Sequence, residues 1–251
     1  MSLEDSLQEI RSLYKVNQAT TPDTYLANPW LLVIVSNDSV AMAALNKPVS
    51  FQPVYNLLSD DVNRLSGLSA EEKGPFKAKL VLKQRDAILK GLVAYGCPKA
   101  ITALFFLNEA TPEDIRAHLP QTPLRPEKIT LERTESGKST FSTNYRSKAG
   151  LTHEIMYKIF PDLGMVVEKF LYPTLISYTE VTSPQETSLV MVTALFAEQV
   201  LPILKEHQQG AKANELTDEQ LGLVYATVRC LAKAFGLDQR AFIDDVQKKY
   251  Y

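Results

Sequence analysis

The sequence predicts an all-α protein, and three observations carry that prediction. Apolar residues recur in long runs at three- and four-residue spacing, the interval at which side chains share one face of a helix. Several runs open on Ser or Thr with Glu or Gln three residues later: Ser69 with Glu72, Ser183 with Glu186, and Thr217 with Gln220. This capping box satisfies donors that a helix start leaves open. Glycine is also scarce, 10 in 251 residues against roughly 18 at average usage, so few positions are reserved for tight turns.

Leu3, Leu7, Ile10, Leu13 and Tyr14 lie on one side of a short amphipathic helix over residues 3–16. Thr21-Pro22-Asp23 and Asn28-Pro29 read as two closely spaced helix starts. Trp30 to Val35 is apolar and β-branched enough for a buried strand, but it leads into Val40-Ala41-Met42-Ala43-Ala44-Leu45 and is read as helix. Pro48 and Pro53 bracket a break, and a helix follows through Val54, Leu57, Leu58, Val62 and Leu65. After the Ser69 box, Gly74-Pro75 reads as a turn and a long helix spans Phe76 to Tyr95. Gly96 and Pro98 stop it and start the next, which ends near Asn108. Thr111-Pro112-Glu113-Asp114 caps a short one.

Residues 120–150 shift in composition. Pro120, Pro123 and Pro126 precede a run rich in Ser, Thr, Lys and Arg, so this stretch reads as an extended polar connection between two helical halves, 1–119 and 151–251. Its basic residues, Lys128, Arg133, Lys138, Arg146 and Lys148, read as solvated surface. Helices resume over Leu151–Phe160 and Asp162–Tyr178. The helix opened by Ser183-Pro184 is apolar on nearly all sides through Leu189, Val190, Val192, Leu195 and Phe196, which places it in the core. Pro202 should kink or break it, and Lys205 and His207 fall in its last turn, facing the negative end of the dipole. A helix through Leu221, Val224, Val228, Leu231 and Phe235 ends at Gly236 and completes an αα-hairpin. A last helix from Asp238 carries Phe242, Ile243 and Val246.

Composition bounds the function. A net charge of −2 gives a nucleic-acid role little electrostatic support. The longest apolar run, Leu189 to Leu204, is interrupted by Glu198, Gln199 and Pro202, so no membrane span is expected. Two cysteines, Cys97 and Cys230, make no disulfide framework and suit a reducing compartment. His118 and His153 have no metal-ligand spacing, and no cofactor motif occurs. The acidic start Met1-Ser2-Leu3-Glu4-Asp5 has no signal-peptide pattern. The expected location is intracellular, the cytoplasm first, with the peroxisome and mitochondrion left open. Arg11 to Ala19 partly matches an N-terminal peroxisomal address, Gln18-Ala19 in place and Ser12 out of pattern, whereas Lys248-Lys249-Tyr250-Tyr251 is no Ser-Lys-Leu type of address.

Several short motifs together point to a family. Phe160-Pro161-Asp162-Leu163, Phe170-Leu171-Tyr172, Ser183-Pro184-Gln185-Glu186, His207 and Leu216-Thr217-Asp218-Glu219 follow one another in an order that resembles the carboxymuconolactone decarboxylase and alkylhydroperoxidase D-like family. Ala87 to Ala94, followed by Tyr95-Gly96-Cys97-Pro98, resembles the helix break of the same family. The resemblance spans roughly residues 40–110 and 155–236 and implies a duplicated helical-bundle unit. Val40–Glu72 can be laid against Val192–Gln220, with the histidine position of the first copy near Leu57.

The departures from that family carry the functional argument. With His207 as the family histidine, the two redox cysteines fall at Val200 and Ile203, and the family's Arg-Glu pair reads Gln185-Glu186. Thiol peroxidase chemistry needs a thiolate, which neither aliphatic residue supplies; Cys97 and Cys230 would have to meet across the two repeats to replace it. The leading expectation is a divergent member acting as a binding or assembly protein. The alternative is an enzyme using His207 and Glu186 as an acid–base pair on a small lactone or carboxylic acid. The resemblance further implies a homo-oligomer, a dimer first, with a possible small-molecule ligand.

Overall fold

The computed structural model describes residues 2–14, 20–27, 39–47 and 51–237. Among these residues every regular element is helical, so the chain is all-α as its periodicity predicts. The helices are α1 (Leu3–Leu13), α2 (Pro22–Leu26), α3 (Ser39–Ala44), α4 (Phe51–Arg64), α5 (Ala70–Tyr95), α6 (Cys97–Ala110) and α7 (Glu113–Arg116). There follow α8 (Leu131–Tyr145), α9 (Ala149–Ile159), α10 (Pro161–Val166) running into a π-helix (Val167–Ile176), α11 (Pro184–Ala197), α12 (Leu201–Ala213) and α13 (Asp218–Ala234).

Helix α11 is the axis of the molecule. Every residue from Glu186 to Ala197 is buried, which follows from its apolar surface on all sides. It packs against α3, α5, α12 and α13, and α1 closes over α13. The three capping boxes form as predicted. At Ser183 the hydroxyl accepts from the Glu186 N–H at 3.1 Å and the Glu186 carboxylate accepts from the Ser183 N–H at 2.7 Å. The Ser69 and Thr217 boxes have the same form.

Four expectations are corrected. Gly74-Pro75 is no turn: α5 runs unbroken from Ala70, with Pro75 inside it. Pro75 is the sixth residue of the helix, so its missing N–H removes one bond, to the Glu71 carbonyl, without ending the helix. The stretch 120–150 is not simply an extended connection, since residues 131–145 form α8, capped by the Thr130 hydroxyl on the Arg133 N–H. Its composition is polar because much of its surface faces solvent, while Gly137, Phe141, Asn144 and Tyr145 are buried. Asp162–Tyr178 is not one α-helix: it widens to a π-helix containing Pro173, whose missing N–H leaves a gap in an i→i−4 ladder. Finally, the helix from Pro184 stops at Ala197, where Gln199 adopts φ of 65° and the chain re-enters a helix with Pro202 near its start. Helix α12 then continues to Ala213, so His207 lies mid-helix and not at a C-terminus.

Two glycines set the spacing around α8. A Cβ at Gly137 would lie 2.8 Å from Pro173 Cγ, and one at Gly210 would lie 2.8 Å from Asn144 Cα. The absence of a side chain at these two points lets α8 lie against the π-helix on one side and α12 on the other. Asn28-Pro29, Trp30–Val35 and the helix expected from Asp238 lie outside the described residues.

Candidate functional site

The crossing of α8, α11, α12 and the end of the π-helix leaves a cavity of about 210 Å³. It is walled by Ser139, Thr140, Thr143 and Asn144 of α8, by Pro184, Thr187, Ser188 and Met191 of α11, by His207 of α12, and by Ile176, Thr179 and Asn214. Helical spacing explains the α8 wall: residues 139, 140, 143 and 144 share one face. Ser139 is exposed and marks the way in. Among the described residues, no Asp, Glu, Lys or Arg lines the space.

His207 is the polar residue with the strongest claim on this cavity. It is 6% exposed, its ring meets Tyr145 edge to face at 5.8 Å, and no residue among those described hydrogen-bonds its ring nitrogens. Burial lowers its pKa to about 4 from 6.5, against a smaller opposing pull from Glu206. The imidazole is therefore neutral at physiological pH, one ring nitrogen a donor and the other an acceptor. Of the neighbouring groups, Ser188 Oγ accepts from Asn214 Nδ2 at 2.9 Å and Asn144 Nδ2 donates to the Tyr172 hydroxyl at 3.3 Å. These bonds fix the side chains that surround the imidazole.

Glu186, the other residue singled out from the sequence, does not line the cavity. It is buried on a different side of α11, where both its oxygens accept from Lys83 Nζ of α5 at 2.6 Å and one also completes the Ser183 box. Both ends of its charge are satisfied there. The cavity has its histidine without that carboxylate, and Val200 and Ile203 are exposed aliphatic residues. Cys97 is exposed and Cys230 half-buried.

A second cluster went unread in the sequence. Lys90 is fully buried; its Nζ donates to Tyr178 O at 2.5 Å and Thr187 Oγ1 at 2.7 Å, and lies 3.6 Å from Asp86 Oδ2. Burial brings its pKa down to about 8, with Asp86 acting in the opposite sense. Asp86 in turn accepts from Arg125 Nη2 and Thr182 Oγ1, both at 2.6 Å. Thr187 thus joins this network to the cavity wall. The visible signal was a single Lys inside the apolar run Ala87-Ile88-Leu89-Lys90-Gly91-Leu92-Val93, with an acid four residues earlier.

Comparison with known proteins adds a name on the side of its relatives. The chain is 28% identical over 196 residues to "Peroxisomal protein 2" of Schizosaccharomyces pombe, covering 78% of this chain and 83% of that protein. It is 29% identical over 202 residues to "Peroxisomal protein 2" of Saccharomyces cerevisiae, covering 71% of each. No family model matches the chain, and no solved structure matches it. The partial N-terminal address begins at Arg11, which is buried in α1 and bidentate to Asp61 at 2.6 and 2.7 Å; residues 15–19 lie outside those described. Among the described residues, no helix is long and apolar enough to cross a membrane.

Proposed function

We propose that the chain is a divergent carboxymuconolactone decarboxylase-like protein that binds a small, uncharged polar molecule in the His207 cavity. The observation that carries this reading is the buried, neutral imidazole, without a hydrogen-bonding partner among the described residues, in a space lined by hydroxyls and amides. A ligand offering both a donor and an acceptor would match its two ring nitrogens. At about 210 Å³ the space is below the range of roughly 300–1,000 Å³ usual for drug-sized ligands, so the occupant is small. A hydroxy-lactone or a hydroxy-ketone has both groups and no charge.

The enzymatic alternative keeps His207 as a base, since a neutral imidazole accepts a proton. Its partner carboxylate lacks support because Glu186 is held by Lys83. The duplication has support in the order of elements. Helix α3 and helix α11 both end at a residue of positive φ, Asn46 and Gln199; each is followed by a helix with Pro near its start, Pro53 and Pro202, and then by a capping-box helix. A homodimer is supported by the exposed apolar side chains of α9, α10 and the π-helix, among them Leu151, Ile155, Ile159, Phe160 and Phe170. Residence in the peroxisome is supported by the name of the two relatives.

The test of the site is a screen of small lactones and hydroxy-ketones, following the His207 ring resonances by NMR in wild-type protein and repeating hits on His207→Leu. Binding that moves His207 and vanishes in the variant supports the reading. A screen in which nothing moves His207 removes it, and consumption of a lactone by the wild type alone would favour the enzyme. Light scattering of purified protein reads the dimer, and a fluorescent fusion reads the compartment.

A further inference from the structure

A second cleft lies on the other side of α5 and has a different chemistry. Its floor is Leu82, Arg85, Asp86 and Leu89 of α5, one wall is Leu104 and Asn108 of α6, and the other is the segment from Pro120 to Arg125 with Val181. Its volume is about 410 Å³, within the range for a ligand of drug size. Most of its lining is aliphatic or proline. Two guanidinium groups and one carboxylate enter it, and two of the three are already matched. Asp86 is held by Arg125, Thr182 and Lys90, and Arg125 also donates from Nε to Thr174 O at 2.8 Å.

Arg85 is the exception. Among the described residues it forms no ion pair, and its one hydrogen bond is from Nη2 to Asn108 Oδ1 at 2.8 Å. A guanidinium has five N–H donors, so most of this fork is unspent. Another cation, Arg116, donates to the carbonyl of the same Asn108 at 3.1 Å. Burial first, and Arg116 second, both disfavour its charge, and no acid acts against them. A half-buried, unmatched positive charge between Leu82 and Leu89 is the complement of an anion carried on an apolar body.

We propose that this cleft binds an amphipathic organic anion, its carboxylate on the Arg85 fork and its apolar body against Leu82, Leu89, Leu104 and Leu124. The site is separate from the His207 cavity, with which it shares no lining residue.

The test uses decanoate and decan-1-ol, which share an apolar chain and differ in charge. Titration calorimetry on the full chain is expected to give saturable decanoate binding, weaker by at least about tenfold for decanol and for Arg85→Gln, as loss of a charge-assisted hydrogen bond implies. Arg85→Lys, which keeps the charge, should retain part of the affinity. Should Arg85→Gln fail to fold, the Arg85 Nε–H resonance of wild-type protein reports directly: decanoate must move it, with the His207 ring unaffected. Equal binding of decanoate and decanol, no saturable binding, or a decanoate response at His207 and not at Arg85 would overturn the proposal.

Discussion

Acidification offers the most direct check on the state of His207. The side chain is buried, at 6% exposure, and its pKa is lowered to about 4 from 6.5, burial being the main cause. A histidine whose folded pKa lies below its unfolded value binds protons more weakly when folded. Stability is then complete above pH 6.5 and is lost as pH falls toward 4, because the unfolded chain takes up the proton first. At about 1.4 kcal/mol per tenfold change in proton affinity, the difference is worth about 3 kcal/mol, a large part of the 5–15 kcal/mol typical of a domain. Other groups titrate in the same range, so the assay is a difference: urea unfolding of wild type and of His207→Gln at pH 7, 6, 5 and 4. The wild type should lose about 3 kcal/mol more than the variant over this range, with most of the divergence below pH 6.5. Parallel curves for the two proteins, or a His207 ring that titrates near 6.5 by NMR, would refute the reasoning.

Three further perturbations follow from other buried groups. Asp61→Asn removes a carboxylate that accepts from both Nη atoms of buried Arg11 and from Tyr25, and should cost about 3 kcal/mol or more in urea unfolding, since breaking one side of a buried pair leaves the other side uncompensated. Gln84 is fully buried with neither side-chain amide atom hydrogen-bonded to any described residue, so Gln84→Met should raise the melting temperature, by the equivalent of about 1–2 kcal/mol. Gly210→Val would force a side chain against the Asn144 backbone at the α8–α12 crossing; a loss of about 1–3 kcal/mol is expected, with displaced backbone resonances around Asn144 and His207 in a ¹⁵N–¹H spectrum.

Much of the helical architecture could be read locally. Capping boxes at Ser69, Ser183 and Thr217 are decided within four residues, and each forms as its sequence requires. The breaks at Gly96 and near Pro202 are also local. The misreadings came where neighbours override local preference. Helix α8 looked like a linker because its solvent-facing residues outnumber its apolar ones, and what holds it is packing on Pro173 and Asn144's approach to Gly210. His207 reads as a helix-end residue when the helix from Pro184 is carried through Pro202 with a polar turn after it, whereas a new helix starts at Leu201, compatible with Pro202 near its start, and runs to Ala213.

The candidate site divides in the same way. Sequence by itself determined an all-α chain, a core helix opened by Ser183, aliphatic residues at 200 and 203, and His207 as the residue to watch. Only the tertiary structure decided that His207 faces a polar cavity, that Glu186 is turned to Lys83, and that Lys90 is buried behind Thr187. Residues three apart or fewer are related by helix geometry, which the chain carries in its own order. Glu186 and Lys83, or His207 and Tyr145, meet through the packing of separate helices, which no local rule specifies.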